Sequence, residues 1–166
     1  LTDAPAKAAL KDAENRLLSM ILLYDKLYHS AEFNELPATE YLPRLIDEII
    51  SSFSNSTIVK TETHISEFTI ETETLFAIGI IVNEIITNIM KYAFTGTEGG
   101  VITVIASSID GRTILVIGDN GRGMPEEIDF QNAAGFGLQL VNTLVKQLKG
   151  SIRMERTEGT RFIIDF

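Results

Sequence analysis

The sequence predicts an α+β fold in one main domain, preceded by a long helix. Neither Gly nor Pro occurs between Ala6 and Tyr28, a pattern typical of one uninterrupted helix. Farther along, three segments have apolar residues at helical spacing, and short runs rich in β-branched residues lie between and after them. A chain of 166 residues is long enough to bury a sizeable core without disulfides.

The composition excludes several kinds of partner and site. The chain carries 14 Lys and Arg against 23 Asp and Glu, and this net charge of −9 argues against a nucleic-acid partner, because duplex binding needs a basic face. It has no cysteine, so disulfides, thiolate metal sites and cysteine nucleophiles are excluded. The sequence begins at Leu1 without Met and has no signal peptide, so we expect it to be a piece of a longer protein.

The predicted helix over Ala6–Tyr28 is apolar on more than one side. Such a helix must be covered by other helices, either in this chain or in a partner. The segment from His29 to Ala38 is mostly polar and contains Pro37, which indicates a linker.

An amphipathic helix is expected after the linker, with Thr39 as its N-cap and its end between Ser51 and Ser56. Two runs rich in β-branched residues, Thr57–Thr63 and Ile65–Ile70, then predict short strands. The core face of the helix would consist of Leu42, Leu45, Ile46, Ile49, Ile50 and Phe53.

A second amphipathic helix is predicted from about Thr72 to Tyr92, because acidic residues at its start suit a helix N-terminus. The runs Val101–Ser107 and Thr113–Ile117 predict a hairpin, since the Asp-Gly pair at 110–111 is a strong turn signal. From Asn120 to Ala134 the chain is polar, rich in glycine and without periodicity, which indicates a loop.

The chain is expected to end with a helix and a hairpin. Gly150 would stop the helix, after Lys146 and Lys149 in its last turn. The strands Ser151–Arg156 and Thr160–Phe166 would pair around a Glu-Gly turn at 158–159. The apolar positions of that helix are Leu138, Val141, Leu144, Val145 and Leu148.

The helix over Thr72–Tyr92 carries more polar residues near its end than a core helix should. Glu84, Asn88, Lys91 and Tyr92 fall on one side of it, and the opposite side is apolar. An amide oxygen beside a carboxylate suits Mg²⁺, and a lysine one turn farther suits phosphate. The alternative is an ordinary solvated helix face.

A second polar pattern, Asp-x-Gly-x-Gly, begins at Asp119, where an apolar run ends. A carboxylate at a strand end can accept a hydrogen bond from the exocyclic amine of a purine. Gly121 and Gly123 would let the backbone approach a flat ring closely. Taken alone, the pattern is equally compatible with a tight turn.

A third pattern runs from Gly135 through Gly137 to Leu138 and opens the last helix. Glycine-rich backbone at a helix N-terminus presents N–H groups to phosphate, although a flexible loop would have the same composition. A dinucleotide fingerprint fails because Leu140 stands where its third glycine would be. The sequence also lacks Gly-Lys-Ser/Thr, which excludes a P-loop.

In this order, the three patterns resemble the Bergerat-type ATP-binding fold of sensor histidine kinases, DNA gyrase and MutL-like ATPases, over about Ala38–Phe166. The pattern starting at Glu84 is similar to that family's N box, and those starting at Asp119 and Gly135 are similar to its two glycine boxes. The resemblance implies a two-layer α/β sandwich with a mixed sheet, and ATP and Mg²⁺ as cofactors.

The resemblance also implies roles for single residues. Glu84 would act on the incoming nucleophile or a nearby water, and Asn88 would hold Mg²⁺. Asp119 would bind the adenine amine, with Thr160 supporting the adenine pocket. The other implied nucleotide contacts are Lys91, Tyr92, Gly121, Gly123, Gly135, Gly137 and Leu138.

Two stretches are similar to one branch of the sensor kinases, the HWE-like branch. Asn83–Phe94 is similar to its N box. Asn15–Met20, continuing to Lys26–Tyr28, looks like the second helix of its dimerisation and phosphotransfer hairpin. The resemblance implies a remnant of that hairpin with its linker at 1–36 and an ATP-binding catalytic domain at 37–166. It further implies a homodimeric parent, a response regulator as partner and a cytoplasmic position for this domain, and it leaves membrane attachment of the parent open.

The two histidines do not fit the acceptor role. In such kinases a histidine on the first hairpin helix attacks the γ-phosphate. Here His29 stands at the end of the predicted first helix and His64 between two predicted strands. We therefore expect the acceptor to lie outside this fragment, which alone would not autophosphorylate.

Two other functions are compatible with parts of the sequence. A partner-switching anti-sigma-type kinase uses the same fold to phosphorylate a serine on another protein, but such proteins lack the long leading helix. A degenerate fold that binds partners without nucleotide is disfavoured by the three intact patterns.

Overall fold

The computed structural model describes residues 35–125 and 136–166. The predicted helix over Ala6–Tyr28, His29, the second half of the predicted loop and Gly135 lie outside these ranges. Within the ranges, the helices are α1 (Ala38–Ser51), α2 (Thr72–Tyr92) and α3 (Phe136–Gln147), with a 3₁₀ turn at Ser56–Ile58. The strands are β1 (Glu35–Pro37), β2 (Val59–Ile65), β3 (Thr69–Glu71), β4 (Gly100–Ile109), β5 (Arg112–Asp119), β6 (Ser151–Thr157) and β7 (Gly159–Asp165).

The described strands form one mixed sheet and one small ribbon. The five-stranded sheet has the order β2-β4-β5-β7-β6. In it, β2 and β4 run parallel, with β3 and α2 in the connection between them, and the other neighbours run antiparallel. β1 and β3 pair antiparallel outside this sheet. The predicted α+β class with a mixed sheet is confirmed.

The core lies between the sheet and the helices. In β4, Ile102, Val104 and Ala106 are at most 1% exposed, whereas Ile105 and Ile109 are 39% and 61% exposed. Because successive strand residues point to opposite faces, one face of β4 is covered and the other meets solvent. Residues of β5 and β7 on the covered face are equally buried, namely Leu115, Ile117, Phe162 and Ile164.

α2 is the centre of the helix layer. It packs against both α1 and α3, and it is buried on nearly every side from Ala77 to Ile86. Within the described ranges it is the helix that is long and apolar enough to cross a membrane, by length and composition. However, 72% of its apolar window is buried inside the protein, as expected for a core helix.

The strongest local signals give the correct elements. α2 has the predicted bounds. In the β4–β5 turn, Asp110 and Gly111 have φ angles of 52° and 78°, and two consecutive positive values are typical of a type I′ hairpin turn. The last hairpin also turns where the Glu-Gly pair predicts, since Thr157 pairs with Gly159.

The start of α1 differs from the prediction. The helix begins at Ala38, and Pro37 stands at its N-cap without a side-chain hydrogen bond, so Thr39 lies in the first turn and is not the cap. The N–H of Ala38 donates to the carbonyl of Phe68 at 2.9 Å. The helix start is therefore set by this tertiary contact and by the pairing of β1 with β3, and not by a capping side chain. The last part of the predicted linker is therefore strand.

The two predicted strands after α1 are also shifted. The 3₁₀ turn at Ser56–Ile58 delays β2 to Val59, and β2 then continues to Ile65. His64 accordingly lies within β2 and is exposed, not between two strands. The second strand shortens to Thr69–Glu71, because its partner β1 has only three residues.

The end of α3 uses a different residue from the one predicted. Lys149, with φ of 55°, takes the left-handed position expected for glycine. The N–H groups of Lys149 and Gly150 donate to the carbonyls of Lys146 and Val145 at 3.0 and 2.9 Å, which is a Schellman motif. Gly150 is required for another reason, because a Cβ there would lie 2.4 Å from the carbonyl oxygen of Asp165.

Candidate functional site

The site is built around the carboxylate of Asp119, at the end of β5. Asp119 is 8% exposed. Its Oδ1 accepts the N–H of Gly121 at 2.8 Å, and its Oδ2 accepts the N–H of Thr160 at 3.3 Å. Burial raises the pKa of Asp119, and the two backbone hydrogen bonds oppose that rise. The side chain is thereby held in one orientation.

Two glycines allow the backbone to pack closely around Asp119. Gly159 has φ of +89°, and a Cβ there would lie 2.0 Å from the carbonyl oxygen of Asp119. A Cβ on Gly121 would lie 2.3 Å from the carbonyl oxygen of Ala93. Glycine is therefore needed at both positions because two backbone segments pack directly against each other there. The predicted approach of Gly121 to a flat ring stays a prediction.

The segment from Asp119 to Pro125, which we call the glycine segment, is hydrogen-bonded to several neighbouring parts of the fold. The N–H of Arg122 donates to the carbonyl of Ala93, just beyond α2, at 3.0 Å. Oδ1 of Asn120 accepts the N–H of Val101 in β4 at 2.7 Å. The N–H of Met124 donates to Oγ1 of Thr160 in β7 at 2.7 Å. The described part of the predicted loop is therefore held in place by hydrogen bonds to Ala93, β4 and β7.

The polar row on α2 passes from the core to the surface. Glu84 is 1% exposed, Asn88 and Lys91 are half-buried, and Tyr92 is 64% exposed. A solvated helix face is therefore wrong for Glu84, because its side chain is buried. Ala93, which follows Tyr92, accepts the N–H of Arg122 in the glycine segment. This hydrogen bond connects the end of α2, with its polar row, to the residues around Asp119, which we call the Asp119 cluster (Asp119, Gly121, Gly159 and Thr160).

The other predicted site residues are distributed as follows. Thr160 is 4% exposed and bonds both to Asp119 and to Met124, so it belongs to the cluster. Gly123, with φ of +73°, lies against Gly159. Gly137 and Leu138 are buried in the first turn of α3. Gly135 lies outside the described residues.

Two contacts were missed by the sequence analysis, one at the glycine segment and one near the end of α2. Arg156 in β6 donates through Nε to the carbonyl of Met124 at 3.2 Å and through Nη2 to that of Pro125 at 3.4 Å. The predicted hairpin around residues 158–159 could have revealed it, because the turn places Arg156 opposite Thr160. Asn55 donates through Nδ2 to the carbonyl of Met90 near the end of α2 at 3.1 Å. No local signal indicates that contact.

Two family models match the chain. Residues 76–166, more than half of the chain, match the histidine kinase-, DNA gyrase B-, and HSP90-like ATPase family. Residues 1–53 match a histidine kinase family. The first match contains Asp119, the polar row of α2 and Thr160. The second runs from residues outside the described ranges through α1.

Named relatives agree with the family models. Blue-light-activated histidine kinase 2 of Erythrobacter litoralis strain HTCC2594 is 30% identical over 131 residues, which cover 78% of this chain and 37% of that protein. Sensor histidine kinase PdtaS of Mycolicibacterium smegmatis is 27% identical over 155 residues, which cover 90% of this chain and 30% of that protein. The chain therefore spans well under half the length of these curated relatives.

A solved structure has the same fold. It is the histidine kinase domain of an Erythrobacter litoralis blue-light activated histidine kinase, with a TM-score of 0.79 and 26% identity. The match covers 91% of this chain and 74% of that one. The resemblance drawn from the three sequence patterns is confirmed, and the relatives named here give no support to the anti-sigma alternative. The chain belongs to the histidine kinase-, DNA gyrase B-, and HSP90-like ATPase family, and within it to the sensor histidine kinases.

Proposed function

We propose that this chain binds Mg²⁺-ATP and positions the γ-phosphate for transfer to a histidine side chain. The observation that carries the proposal is the Asp119 carboxylate, which is buried at a strand end and oriented by two backbone N–H groups. Membership of the ATPase family supports ATP as the ligand. In such a module, catalysis consists of positioning and charge stabilisation.

Asp119 is suited to bind adenine. Each carboxylate oxygen has two lone pairs, and the described hydrogen bonds from Gly121 and Thr160 use one on each oxygen. A further lone pair therefore remains for the exocyclic amine of the purine. In the proposal, Thr160 supports this pocket by fixing both Asp119 and Met124, and Gly121 and Gly123 line it.

The proposed phosphate side consists of the polar row and the start of α3. Within the described residues, no group of three or more His, Asp and Glu could hold a metal ion by itself. Asn88, half-buried on α2, carries an amide oxygen that suits Mg²⁺ bound together with phosphates, because Mg²⁺ takes few protein ligands. Asn88 would supply the amide oxygen, and the bound ion would neutralise phosphate charge. Lys91, Tyr92, Gly135, Gly137 and Leu138 are the other proposed nucleotide contacts.

Glu84 is the proposed catalytic residue. At 1% exposure it is shielded from bulk water, and it precedes Asn88 by one helical turn. A carboxylate in that position would orient the incoming nucleophile or a nearby water.

The relatives also support a proposal for the whole protein of which this chain is a part. We infer a homodimeric parent with a response regulator as partner, an acceptor histidine outside this fragment, and a cytoplasmic position for the module. Residues 1–36 would be the hairpin remnant with its linker, and 37–166 the catalytic domain.

Calorimetric titration of the chain with ADP in the presence of Mg²⁺ tests the proposal. We expect saturable binding that weakens when Mg²⁺ is chelated. Asn88→Asp keeps the size of the side chain but adds a negative charge facing the phosphates, so we expect about tenfold weaker binding, equivalent to ~1.4 kcal/mol.

Gln147→Glu is the matched control for that variant. It adds the same charge at the exposed end of α3 and should leave the affinity unchanged. No binding of ADP by the unaltered chain would refute the proposed function and leave the degenerate fold as the better description.

The affinity for ADP is expected to depend on pH through Asp119. Because burial raises its pKa above the ordinary 3.8, protonation begins at a higher pH than in an exposed carboxyl. A protonated carboxyl loses acceptor capacity for the adenine amine, so ADP binding should weaken as pH falls from about 7 toward 4. Calorimetric titrations across this range measure the effect.

The contribution of Asp119 to the free energy of unfolding should change in the opposite direction, rising as pH falls. The folded pKa of Asp119 is raised, so over the interval between 3.8 and that pKa the folded state binds more protons than the unfolded state. This group's contribution to the free energy of unfolding is therefore larger at low pH and is lost as pH rises through the folded pKa.

An ADP affinity that stays constant from about pH 7 to about pH 4 would contradict the assignment of Asp119 as the acceptor of the adenine amine.

A further inference from the structure

Arg156 and Thr160 are directly opposed in the β6–β7 hairpin. Directly opposed residues project their side chains from the same face of a sheet. Oγ1 of Thr160 accepts the N–H of Met124 at 2.7 Å, and Nε of Arg156 donates to the carbonyl of Met124 at 3.2 Å. One cross-strand pair therefore bonds both backbone polar groups of residue 124.

The same guanidinium extends the contact by one residue. Its Nη2 donates to the carbonyl of Pro125 at 3.4 Å. A guanidinium is planar and carries its donors in a fixed fork, so two adjacent carbonyls held by one arginine are fixed relative to each other. Arg156 thus binds the glycine segment at the end opposite to Asp119.

The contact at Met124 is connected to the Asp119 carboxylate through Thr160. The backbone N–H of Thr160 donates to Asp119, while its hydroxyl oxygen accepts from Met124. A displacement of Met124 would therefore act on the residue that orients the carboxylate. Gly123 adds a second link, because a Cβ there would lie 3.3 Å from the carbonyl oxygen of Gly159.

We propose that Arg156 is a positioning residue for nucleotide binding, which holds Met124 and Pro125 so that the glycine segment presents Asp119 to the adenine. The inference rests on the proposed function and deepens it, since Arg156 lies outside all three sequence patterns. It acts through the protein backbone, not on the nucleotide.

Arg156→Met tests this role, because methionine keeps an aliphatic stem and removes every donor. Loss of these exposed hydrogen bonds should weaken ADP binding about three- to tenfold. ATP binding should weaken by the same factor, because the effect is on the adenine side. Arg156→Lys, which can donate to one carbonyl but not as a fork, should recover part of the affinity.

Arg153→Met is the matched control. Arg153 lies on the same strand, is exposed, and its described ion pair is with Glu155 at 3.6 Å. We expect unchanged ADP affinity for this variant. The free energy of unfolding without nucleotide should change by a similar small amount in both variants, which separates positioning from a general loss of stability.

A double-variant cycle gives a second readout. Thr160→Val removes the hydroxyl that accepts from Met124, so its effect on ADP affinity should be strongly non-additive with that of Arg156→Met if both act through residue 124. Additive effects would overturn the inference, as would unchanged ADP binding by Arg156→Met. A loss that is larger for ATP than for ADP would also overturn it, because it would indicate direct contact with phosphate. Absence of binding by the unaltered chain would refute the proposed function itself.

Discussion

Asp119→Asn should weaken ADP binding about a hundredfold or more, equivalent to ~2.7 kcal/mol. The carboxylate accepts hydrogen bonds from Gly121 and Thr160, one on each oxygen. An asparagine amide has only one oxygen, so its NH₂ group must face either one of these N–H donors or the adenine amine, which is also a donor. The change is nearly isosteric, so the loss reports hydrogen bonding and not shape.

The fold should survive this substitution. Burial raises the pKa of Asp119, which means that the ionised carboxylate is costly in the folded state. Removing the charge offsets part of the lost hydrogen bonding, so we expect the free energy of unfolding to change by no more than about 1 kcal/mol. Calorimetric titration with ADP and urea unfolding of the same sample measure the two quantities.

Asp165→Asn provides the control for charge. Asp165 ends β7 and forms an ion pair with Arg112 at the surface. The same chemical change there should leave ADP affinity as it is. If Asp119→Asn bound ADP within about threefold of the unaltered chain, the carboxylate would not be the adenine acceptor.

Elements with strong local signals could be predicted from the sequence. α2 and the β4–β5 turn depend on apolar spacing and on an Asp-Gly pair, and both lie where predicted. The start of α1 could not be predicted, because the pairing of β1 with β3 and the bond from Ala38 to Phe68 decide it. The left-handed Lys149 was missed for a related reason, since Gly150 is needed for its contact with Asp165.

The candidate site shows the same division. The sequence places Asp119 at a strand end, and the hairpin signal brings Thr160 beside Arg156. A helical wheel shows only the side of α2 on which Glu84 lies, and not that its side chain is buried. The contact between Gly121 and Ala93 joins residues far apart in the chain, and no local pattern reports it. The positions of Asp119 and Thr160 were therefore predictable, whereas the packing around them was not.

Gly159→Ala should both destabilise the fold and abolish ADP binding. The φ of +89° disfavours any side chain, and the new Cβ would lie 2.0 Å from the carbonyl oxygen of Asp119 and 2.7 Å from its Oδ1. Strain and steric overlap together should lower the free energy of unfolding by about 3 kcal/mol or more. The displaced carboxylate would also lose its orientation toward adenine.

Gly111→Ala separates the two causes. Gly111 has a similar φ of +78°, but nothing lies within 4 Å of a Cβ placed there. This variant carries the backbone strain alone, so it should lose only about 1–2 kcal/mol and keep full ADP affinity. Urea unfolding and calorimetric titration of both variants give the comparison. Equal losses of stability in the two variants would show that the contact between Gly159 and Asp119 contributes nothing beyond strain, and the close backbone packing around the carboxylate would then not be what holds it in place.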